Sequence, residues 1–446
     1  MRPPALLTLL CALLGSVCPA QTTQLPADAT AGQEAKIQLP GGLTMPFCYC
    51  PPGTFTMGSP AGEKGRHPHE NQVQVKISKG FWMAQTEITH AQWLALTSGS
   101  GYVNAAPLND HPYDAVSWEE AQGFISRLNQ TVKLPAGWIF ALPTEAQWEY
   151  ACRAGTQMPF SFGHVLNGTA ANSSGIDPYG TEAVGPYRGR TVPVASFPPN
   201  AWGLHDMHGN ALEWCEDGWD GKTKLPGGTD PVGDPSIPTH VRRGGNWGST
   251  GEDCRAASRQ VIEGLPTYRD CSVRLAIVPF TLTDDYLAVQ KDFARFPLMK
   301  PQTDAAGNMV FTETALNVTP LVRSGTRMDG IRFQVERTGE AHAFVWAFKK
   351  PANLKGWGIV PASGVMRGFT SYQGIKNDYI LQGLRGDLLV TGHEYLLLFH
   401  WKDDVPTTLR AGHRFAELLP EPEGTFDGKK ILRTLVKTQA GLDSFK

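Results

Sequence analysis

The feature that most constrains the fold is a long stretch, from Thr156 to Gly245, without hydrophobic periodicity. Gly, Pro, Asn and aromatic residues dominate it, a composition typical of ordered loops. Glycine and proline supply 48 and 34 of the 446 residues, above average usage but below that of disordered chains. Because a long loop region in a compact domain needs staples, we expect bound ions or disulfides to hold it.

The charge balance excludes some partners. The chain carries 40 basic and 42 acidic residues, so nothing in it favours nucleic acid or an anionic membrane surface. No stretch reaches 18 consecutive apolar residues, and we predict no membrane span. The sequence does not define an oligomeric state.

The N-terminus, residues 1–20, has the pattern of a signal peptide. Arg2 precedes an apolar run from Ala5 to Val17, and Ala20 ends a suitable cleavage site. A lipid anchor on Cys18 is the alternative, disfavoured by Val17. Cleavage after Ala20 predicts export to the periplasm or the extracellular space, with residues 21–36 as a flexible leader.

The cysteines of an exported protein are expected to form disulfides. Of eight cysteines, two leave with the signal peptide. The other six are Cys48, Cys50, Cys152, Cys215, Cys254 and Cys271. An even number in an oxidising compartment favours disulfides, and no pair has zinc-ribbon or thioredoxin spacing.

Three helix starts carry a capping box, in which a hydroxyl and a Gln or Glu three residues later bond each other's backbone amides. They are Thr89 with Gln92, Ser117 with Glu120, and Thr144 with Gln147. The third helix is predicted over about Glu145 to Ala154, with Gly155 as its left-handed terminator.

The composition changes after residue 280. A short connector helix is predicted over 283–296, within a connector of residues 281–304. Dense β-branched, Leu and aromatic residues then predict strands at 330–335, 343–348 and 387–401. Residues 305–446 are therefore predicted to form a second, sandwich-like β-rich domain of unknown role.

Five consecutive blocks of the first domain resemble one known family. They are F-T-M-G at 55–58, F-W-M-A-Q-T-E-I-T at 81–89, L-P-T-E-A-Q-W-E-Y-A-C-R-A-G at 142–155, P-N-A-W-G-L-H-D-M-H-G-N-A-L-E-W-C at 199–215 and R-R-G-G-N-W at 242–247. This pattern resembles the formylglycine-generating enzyme family, or sulfatase-modifying factors. The resemblance implies an α+β, C-type-lectin-like domain rich in irregular loops over residues 37–280.

The resemblance also implies a reaction. The family's enzyme uses copper and dioxygen to oxidise a cysteine in a sulfatase C-x-P-x-R motif to formylglycine. Two cysteine thiolates hold its copper(I), and the matching positions here are Ser249 and Cys254. A serine hydroxyl is a hard, neutral ligand and does not replace a thiolate for this soft ion.

Homologues of the family that lack the cysteine pair resemble this chain in E-W-C and C-R-x-A-x-R. They imply a Cys215–Cys254 disulfide, with a free reactive thiol at Cys254 as the alternative. The matching helix cysteine in the enzymes implies a second bridge, Cys152–Cys271. The pairing of Cys48 and Cys50 stays open.

The resemblance further implies calcium, which takes six to eight oxygen ligands. One ion would bind the Asp206 side chain and three backbone carbonyls, those of Met207, Gly209 and Ala211. A metal-free hydrogen-bonded turn is the alternative. A first site would use Asn172 and the Ser173 carbonyl, although its acidic partner has no counterpart before Pro193.

Other polar residues have structural interpretations. His205 and His208 are expected to be hydrogen-bonded loop residues rather than a metal pair. Glu213 is expected to pair with a nearby arginine such as Arg243. Three further arginines are expected to make ion pairs: Arg255, Arg259 and Arg274.

Three functions compete. The first is a formylglycine-generating oxidoreductase. The second is an exported, calcium-stabilised module that binds peptide, protein or glycan without the copper site. The third is the oxidative chemistry of iron-dependent sulfoxide synthases, whose histidine-rich motif is not visible here. Ser249 makes the second function the one that the sequence favours.

Overall fold

The computed structural model describes residues 24–97, 108–234, 237, 239–261 and 271–280, and then mainly strands as far as residue 417. The predicted signal peptide lies outside these residues. Among them, no helix is long and apolar enough to cross a bilayer.

The first part of the chain combines short strands with three α-helices. The helices are α1 (His90–Leu94), α2 (Trp118–Thr131) and α3 (Glu145–Arg153). The strands are β1 (Glu34–Gln38), β2 (Thr44–Cys50), β3 (Gly53–Met57), β4 (Val73–Ile77), β5 (Phe81–Ala84), β6 (Trp138–Ala141), β7 (Leu212–Gly218), β8 (Gly228–Thr229), β9 (His240–Arg243), β10 (Cys271–Ser272) and β11 (Ala276–Pro279).

The three predicted capping boxes are confirmed at the starts of α1, α2 and α3. Each hydroxyl accepts the amide hydrogen of the third helical residue, and that residue's side chain accepts the cap's own amide hydrogen. Helix α3 ends one residue earlier than predicted, because Ala154 already adopts the left-handed conformation at φ 43°. Gly155 follows at φ 94°.

Three small sheets support this part. The largest has the strand order β1-β2-β5-β11-β6, the second β10-β7-β9 and the third β3-β4-β8. One apolar core packs α2 against the large sheet through Phe47, Phe124 and Phe140. A second core surrounds Trp148 of α3. The motif-bearing loops therefore rest on two rigid bodies of packed side chains.

The aperiodic stretch contains regular structure that its pattern did not predict. Strand β7 lies inside it and pairs with β9 antiparallel and β10 in parallel. Every residue of β7 except Glu216 is buried. A strand buried on both faces does not alternate between apolar and polar residues, so period-two analysis misses it.

The later chain contains the strands β12 (Thr312–Ala315), β13 (Arg327–Gln334), β14 (His342–Lys349), β15 (Leu354–Pro361), β16 (Tyr372–Lys376), β17 (Tyr379–Arg385), β18 (Glu394–Trp401) and β19 (Thr408–Glu417). They pair in the orders β12-β19-β14-β17-β16 and β13-β18-β15. The three predicted strands correspond to β13, β14 and β18, although residues 387–391 lie outside the described part. The separate domain stays a prediction. The predicted connector helix also lies largely outside, apart from a 3₁₀ turn at Phe293–Arg295.

Candidate functional site

Ser249 and Cys254 lie side by side against Gly245. This glycine has φ 72°, and a Cβ built on it would lie 2.6 Å from the Cys254 Sγ and 3.2 Å from the Ser249 Cβ. Both side chains therefore contact the same point of the backbone, which only glycine leaves open. The structure brings together the two positions that the family resemblance pairs.

The chemistry of this pair does not suit copper(I). The Ser249 Oγ accepts the Asn246 amide hydrogen at 2.9 Å and donates to the Asn246 Oδ1 at 3.0 Å. Cys254 is fully buried, and this burial, with a contribution from Asp253, raises the pKa of its thiol. A protonated thiol beside a hydrogen-bonded hydroxyl is not the two-thiolate set that copper(I) prefers.

His208 is a structural residue, as predicted. Its Nδ1 lies 2.8 Å from the Cys254 carbonyl, to which it donates, and its Nε2 accepts the Ser161 amide hydrogen at 3.0 Å. Burial lowers the pKa of His208 to about 4. The neutral ring has both nitrogens engaged and fixes the backbone of Cys254. His205 likewise places its Nδ1 2.7 Å from the Phe197 carbonyl.

The structure contains neither of the two predicted disulfides: all six described cysteines are buried, and no two of them are joined. Cys152 and Cys215 pack in the core around Trp148, whereas Cys254 packs with a separate cluster and Cys271 with the core of the large sheet. The predicted partners therefore belong to different clusters. Burial is the main cause that raises the pKa of Cys152 and Cys215.

The loop at Asp206 has the tight turns predicted for it. Asp206 and Asn210 are left-handed at φ 56° and 67°. Gly209 passes so close to Asn172 that a Cβ would meet the Asn172 carbonyl oxygen at 2.3 Å. The Asp206 Oδ2 accepts the Ala195 amide hydrogen at 2.7 Å, and the Asn210 amide donates to the Asn172 carbonyl at 2.8 Å. The loop is fixed from two sides.

This loop borders a buried cluster of acids that we call the loop cluster, consisting of Glu87, Asp206, Glu213 and Arg274. Arg274 donates to Glu213 with Nε at 2.9 Å and Nη2 at 2.7 Å, but its Nη2 lies 4.0 Å from the Glu87 Oε2. That Glu87 oxygen has no hydrogen bond. Burial, followed by the charge of Asp206, raises the pKa of Glu87 well above its ordinary value. Burial also raises the pKa of Asp206.

This region has buried oxygen atoms of the kind that a hard cation binds. Glu213 uses its carboxylate to hold Arg274, whereas the Oε2 of Glu87, the Oδ1 of Asn172 and the Oγ of Ser173 are buried without a hydrogen-bond partner in the described structure. Among the described residues, no three His, Cys, Asp or Glu side chains converge as a ready metal site. A calcium ion would therefore need backbone carbonyls as well, in line with the predicted set around Asp206.

Asn210 connects the two predicted calcium positions. Its Oδ1 accepts from the Asn172 Nδ2 at 3.0 Å, and its Nδ2 donates to the Glu87 Oε1 at 3.1 Å. The Asn172 amide also donates to the Arg190 carbonyl at 3.0 Å. Sequence reasoning missed Glu87, whose only signal was that it is the one charged residue in the block at 81–89.

Glu213 is a buried acid paired with an arginine, as expected, but the arginine is Arg274 rather than Arg243. Trp148 donates its indole N–H to the Glu213 Oε2 at 2.6 Å, and Arg243 lies over the same indole, 5.4 Å from the ring centroid. The arginine instead belongs to a second buried cluster, which we call the helix cluster, consisting of Glu145, Glu149, Arg153, Arg243 and Arg259. There the Arg243 Nη2 lies 2.5 Å from the Glu149 Oε2.

The other predicted arginine pairs are confirmed. Arg259 binds both oxygens of Glu145 at 2.5 and 2.7 Å. Arg255 reaches Glu63 at 2.6 Å and Glu70 at 2.8 Å. Both arginines follow Cys254 closely in sequence, so these pairs hold its segment against residues 63–70 and against helix α3.

An exposed apolar face adjoins Ser249. Ile176 and Val184 are 60% and 68% exposed, and Tyr187 lies 6.2 Å from Trp247 between ring centroids. The Gly185 amide donates to the Gly175 carbonyl at 2.8 Å, which places the first two on paired segments. The Ser174 amide donates to the Ser249 carbonyl at 2.9 Å, so these segments reach the Ser249 loop.

The fold and this arrangement of motifs agree with comparisons to known proteins. Residues 43–277 match the family described as the sulfatase-modifying factor enzyme 1-like domain. The chain belongs to this family.

Several curated proteins are similar to it. The formylglycine-generating enzyme of Bos taurus is 34% identical over 143 residues, covering 31% of this chain and 35% of that protein. The enzyme of Mus musculus is 27% identical over 243 residues, covering 44% and 64%. Serine/threonine-protein kinase pkn1 of Chlamydia caviae is 29% identical over 236 residues, covering 46% and 34%. The chain thus spans about a third to two thirds of the length of these relatives.

Two solved structures resemble the chain over slightly more than half of its length. Treponema denticola variable protein 1 has 21% identity and a TM-score of 0.46, covering 55% of this chain and 99% of that one. PvdO from Pseudomonas aeruginosa has 26% identity and a TM-score of 0.45, covering 56% and 98%.

Proposed function

We propose that this chain is an exported member of the family that lacks the copper oxidase site and binds a polypeptide, with calcium stabilising the fold. The observation that carries the proposal is the hydrogen-bonded Ser249 hydroxyl beside the buried Cys254 thiol. The two side chains lie next to each other at Gly245, but they do not supply the two thiolates that copper(I) needs.

The apolar face supports a polypeptide ligand over a glycan. Its most exposed members, Ile176 and Val184, are aliphatic and hydrogen-bond nothing through their side chains. Aliphatic side chains gain by covering apolar surface, whereas a glycan presents mainly hydroxyl groups. Monomeric proteins rarely leave a large contiguous apolar surface open without using it in binding.

A direct assay tests the loss of oxidase chemistry. The purified protein is incubated with copper(I) and a C-x-P-x-R peptide, and aldehyde formation is followed by mass spectrometry. We expect no aldehyde and no stoichiometric copper. Aldehyde formation by the unmodified chain would instead establish the alternative function, a formylglycine-generating oxidoreductase. The observation in favour of that alternative is that Ser249 and Cys254 lie side by side at Gly245.

Ser249→Cys sharpens the assay, because it restores the missing thiol at the position that already contacts Gly245. We expect this variant to gain copper binding, with Ser196→Cys on an exposed turn as the matched control. Equal copper binding by both variants would show that position 249 is not special.

Peptide selection tests the binding face. Peptides from a random display library are selected on the purified chain and then measured against Val184→Asp. We expect the charge on the apolar face to abolish binding, and Leu298→Asp, at a leucine 39% exposed elsewhere, to leave it unchanged. Peptides that bind both variants like the parent chain would place the binding surface elsewhere.

A further inference from the structure

A cavity of the described chain lies away from Ser249, at the start of α3. It has a volume of about 430 Å³, within the usual range of small-molecule sites. The ends of β4, β6 and β11 converge on it, and its lining contains none of the residues of the Ser249 face. We propose that this cleft is a second binding site, for an apolar amino acid, free or at the end of a short peptide.

The outer wall of the cleft is held in a fixed shape. Asp230, left-handed at φ 47°, accepts the Ser78 amide hydrogen at 2.8 Å and the Ser78 hydroxyl hydrogen. Its own amide donates to the Lys76 carbonyl at 2.8 Å. At the other end of the same loop, the Gly233 amide donates to the buried Asp217 carboxylate at 2.6 Å. A wall fastened at both ends needs little ordering when a ligand enters.

The lining combines apolar side chains with two opposite charges. Ile77 and Leu142 are its buried members, and Phe280 is half-buried. Lys79 is exposed and makes no ion pair with any described residue. Glu216, which also lines the cleft, uses its Oε2 to accept from Gln122 at 2.9 Å. Its Oε1 has no hydrogen bond within the described part of the chain.

The ligand class follows from this pattern. An ammonium group suits the Glu216 oxygen, a carboxylate suits Lys79, and an apolar side chain suits the buried Ile77 and Leu142 of the same lining. An α-amino acid carries all three groups. A short peptide carries the same charges at its two ends.

The experiment measures three related ligands by titration calorimetry with the full chain: phenylalanine, its amide and its N-acetyl derivative. Lys79→Met is expected to weaken binding of phenylalanine about tenfold, the effect of one charge-assisted hydrogen bond, and to leave the amide unchanged. Glu216→Gln is expected to weaken phenylalanine similarly and to leave the N-acetyl derivative unchanged.

Controls separate this site from a general charge effect. Lys36→Met removes an exposed lysine on β1 and should change nothing. Glu216→Gln still accepts from Gln122, and equal melting temperatures verify that each variant folds. Tighter binding of phenylalanine than of phenylalanyl-alanine assigns the free amino acid, and the reverse assigns the peptide end. No binding of either by the unmodified chain, or equal losses with Lys36→Met, would overturn the proposal while leaving the Ser249 face untouched.

Discussion

The two buried charge clusters show opposite balances within one domain. In the helix cluster, two carboxyl groups meet three guanidinium groups: Glu145 and Glu149 with Arg153, Arg243 and Arg259. In the loop cluster, three carboxyl groups meet one guanidinium group: Glu87, Asp206 and Glu213 with Arg274. The helix cluster has enough arginines to balance its carboxylates, and the loop cluster does not.

The pKa directions follow this difference. Burial alone raises the pKa of a carboxyl group, but Arg153 and Arg243 outweigh it and lower the pKa of Glu149. At Glu87, burial and the neighbouring Asp206 act in the same direction and raise the pKa. At equal burial, the carboxyl groups of the helix cluster are therefore balanced by arginines, whereas those of the loop cluster are not. The loop cluster is where we expect an added cation to stabilise the fold.

The largest effect is expected from breaking the helix cluster. Arg243→Leu leaves Glu145 and Glu149 buried with one counter-charge fewer, and removing one partner of a buried network typically costs about 3–5 kcal/mol. Urea denaturation should show this loss in the free energy of unfolding. Arg190→Leu, at an exposed arginine, should change it by less than about 0.5 kcal/mol. A small effect of Arg243→Leu would mean that water enters the cluster.

Calcium should act on the loop cluster alone. At a calcium concentration of about one hundred times its dissociation constant, the folded chain gains about 2.7 kcal/mol, which scanning calorimetry records as a higher melting temperature. Asp206→Asn should remove most of this gain, whereas Asp220→Asn, at an exposed acid, should keep it. Equal melting temperatures in calcium and in chelator would contradict the calcium proposal.

The pH dependence of the unfolding free energy should also differ between the two clusters, by less than the calcium effect. Because the folded pKa of Glu87 is raised, the chelated protein binds this proton more tightly when folded, and the resulting stability is lost as the pH rises above the ordinary value of 4.5. Glu149, with its lowered pKa, contributes stability that is present above 4.5 and lost as the pH falls.

The difference in unfolding free energy between the parent chain and Glu87→Gln isolates this contribution. Both proteins share the titration of the groups outside the loop cluster, including His208. We expect the parent chain to lose stability relative to Glu87→Gln as the pH rises from about 4.5, in chelator only. A difference that does not change with pH, or that is the same with calcium, would show that Glu87 is balanced by the protein itself.

The sequence predicted the parts of the fold that local chemistry defines. Each capping box depends on two residues three positions apart, so Thr89, Ser117 and Thr144 were sufficient to locate the helix starts. Strand β7 was not predictable in this way, because its burial on both faces depends on sheets formed by distant segments.

The candidate site was predictable only as a set of positions. The family resemblance identified Ser249 and Cys254, and the structure places them together at Gly245. The partners of charged residues were not predictable. Glu213 binds Arg274, 61 residues away, because Trp148 of α3 lies beside Glu213 and Arg243 turns to the helix instead. The Cys215–Cys254 and Cys152–Cys271 pairings stay predictions, and the members of each pair pack in different clusters.

The smallest effect is expected from the cap of α3, and it shows how the helix cluster is positioned. Thr144→Ala should cost about 1 kcal/mol, as should Ser117→Ala on α2. Because α3 carries both acids of the helix cluster, Thr144→Ala combined with Arg243→Leu should give a non-additive loss in urea denaturation. Ser117→Ala with Arg243→Leu should be additive. The calcium shift in melting temperature should survive Thr144→Ala, because the loop cluster takes none of its acids from α3; its loss would show that the two clusters act as one unit.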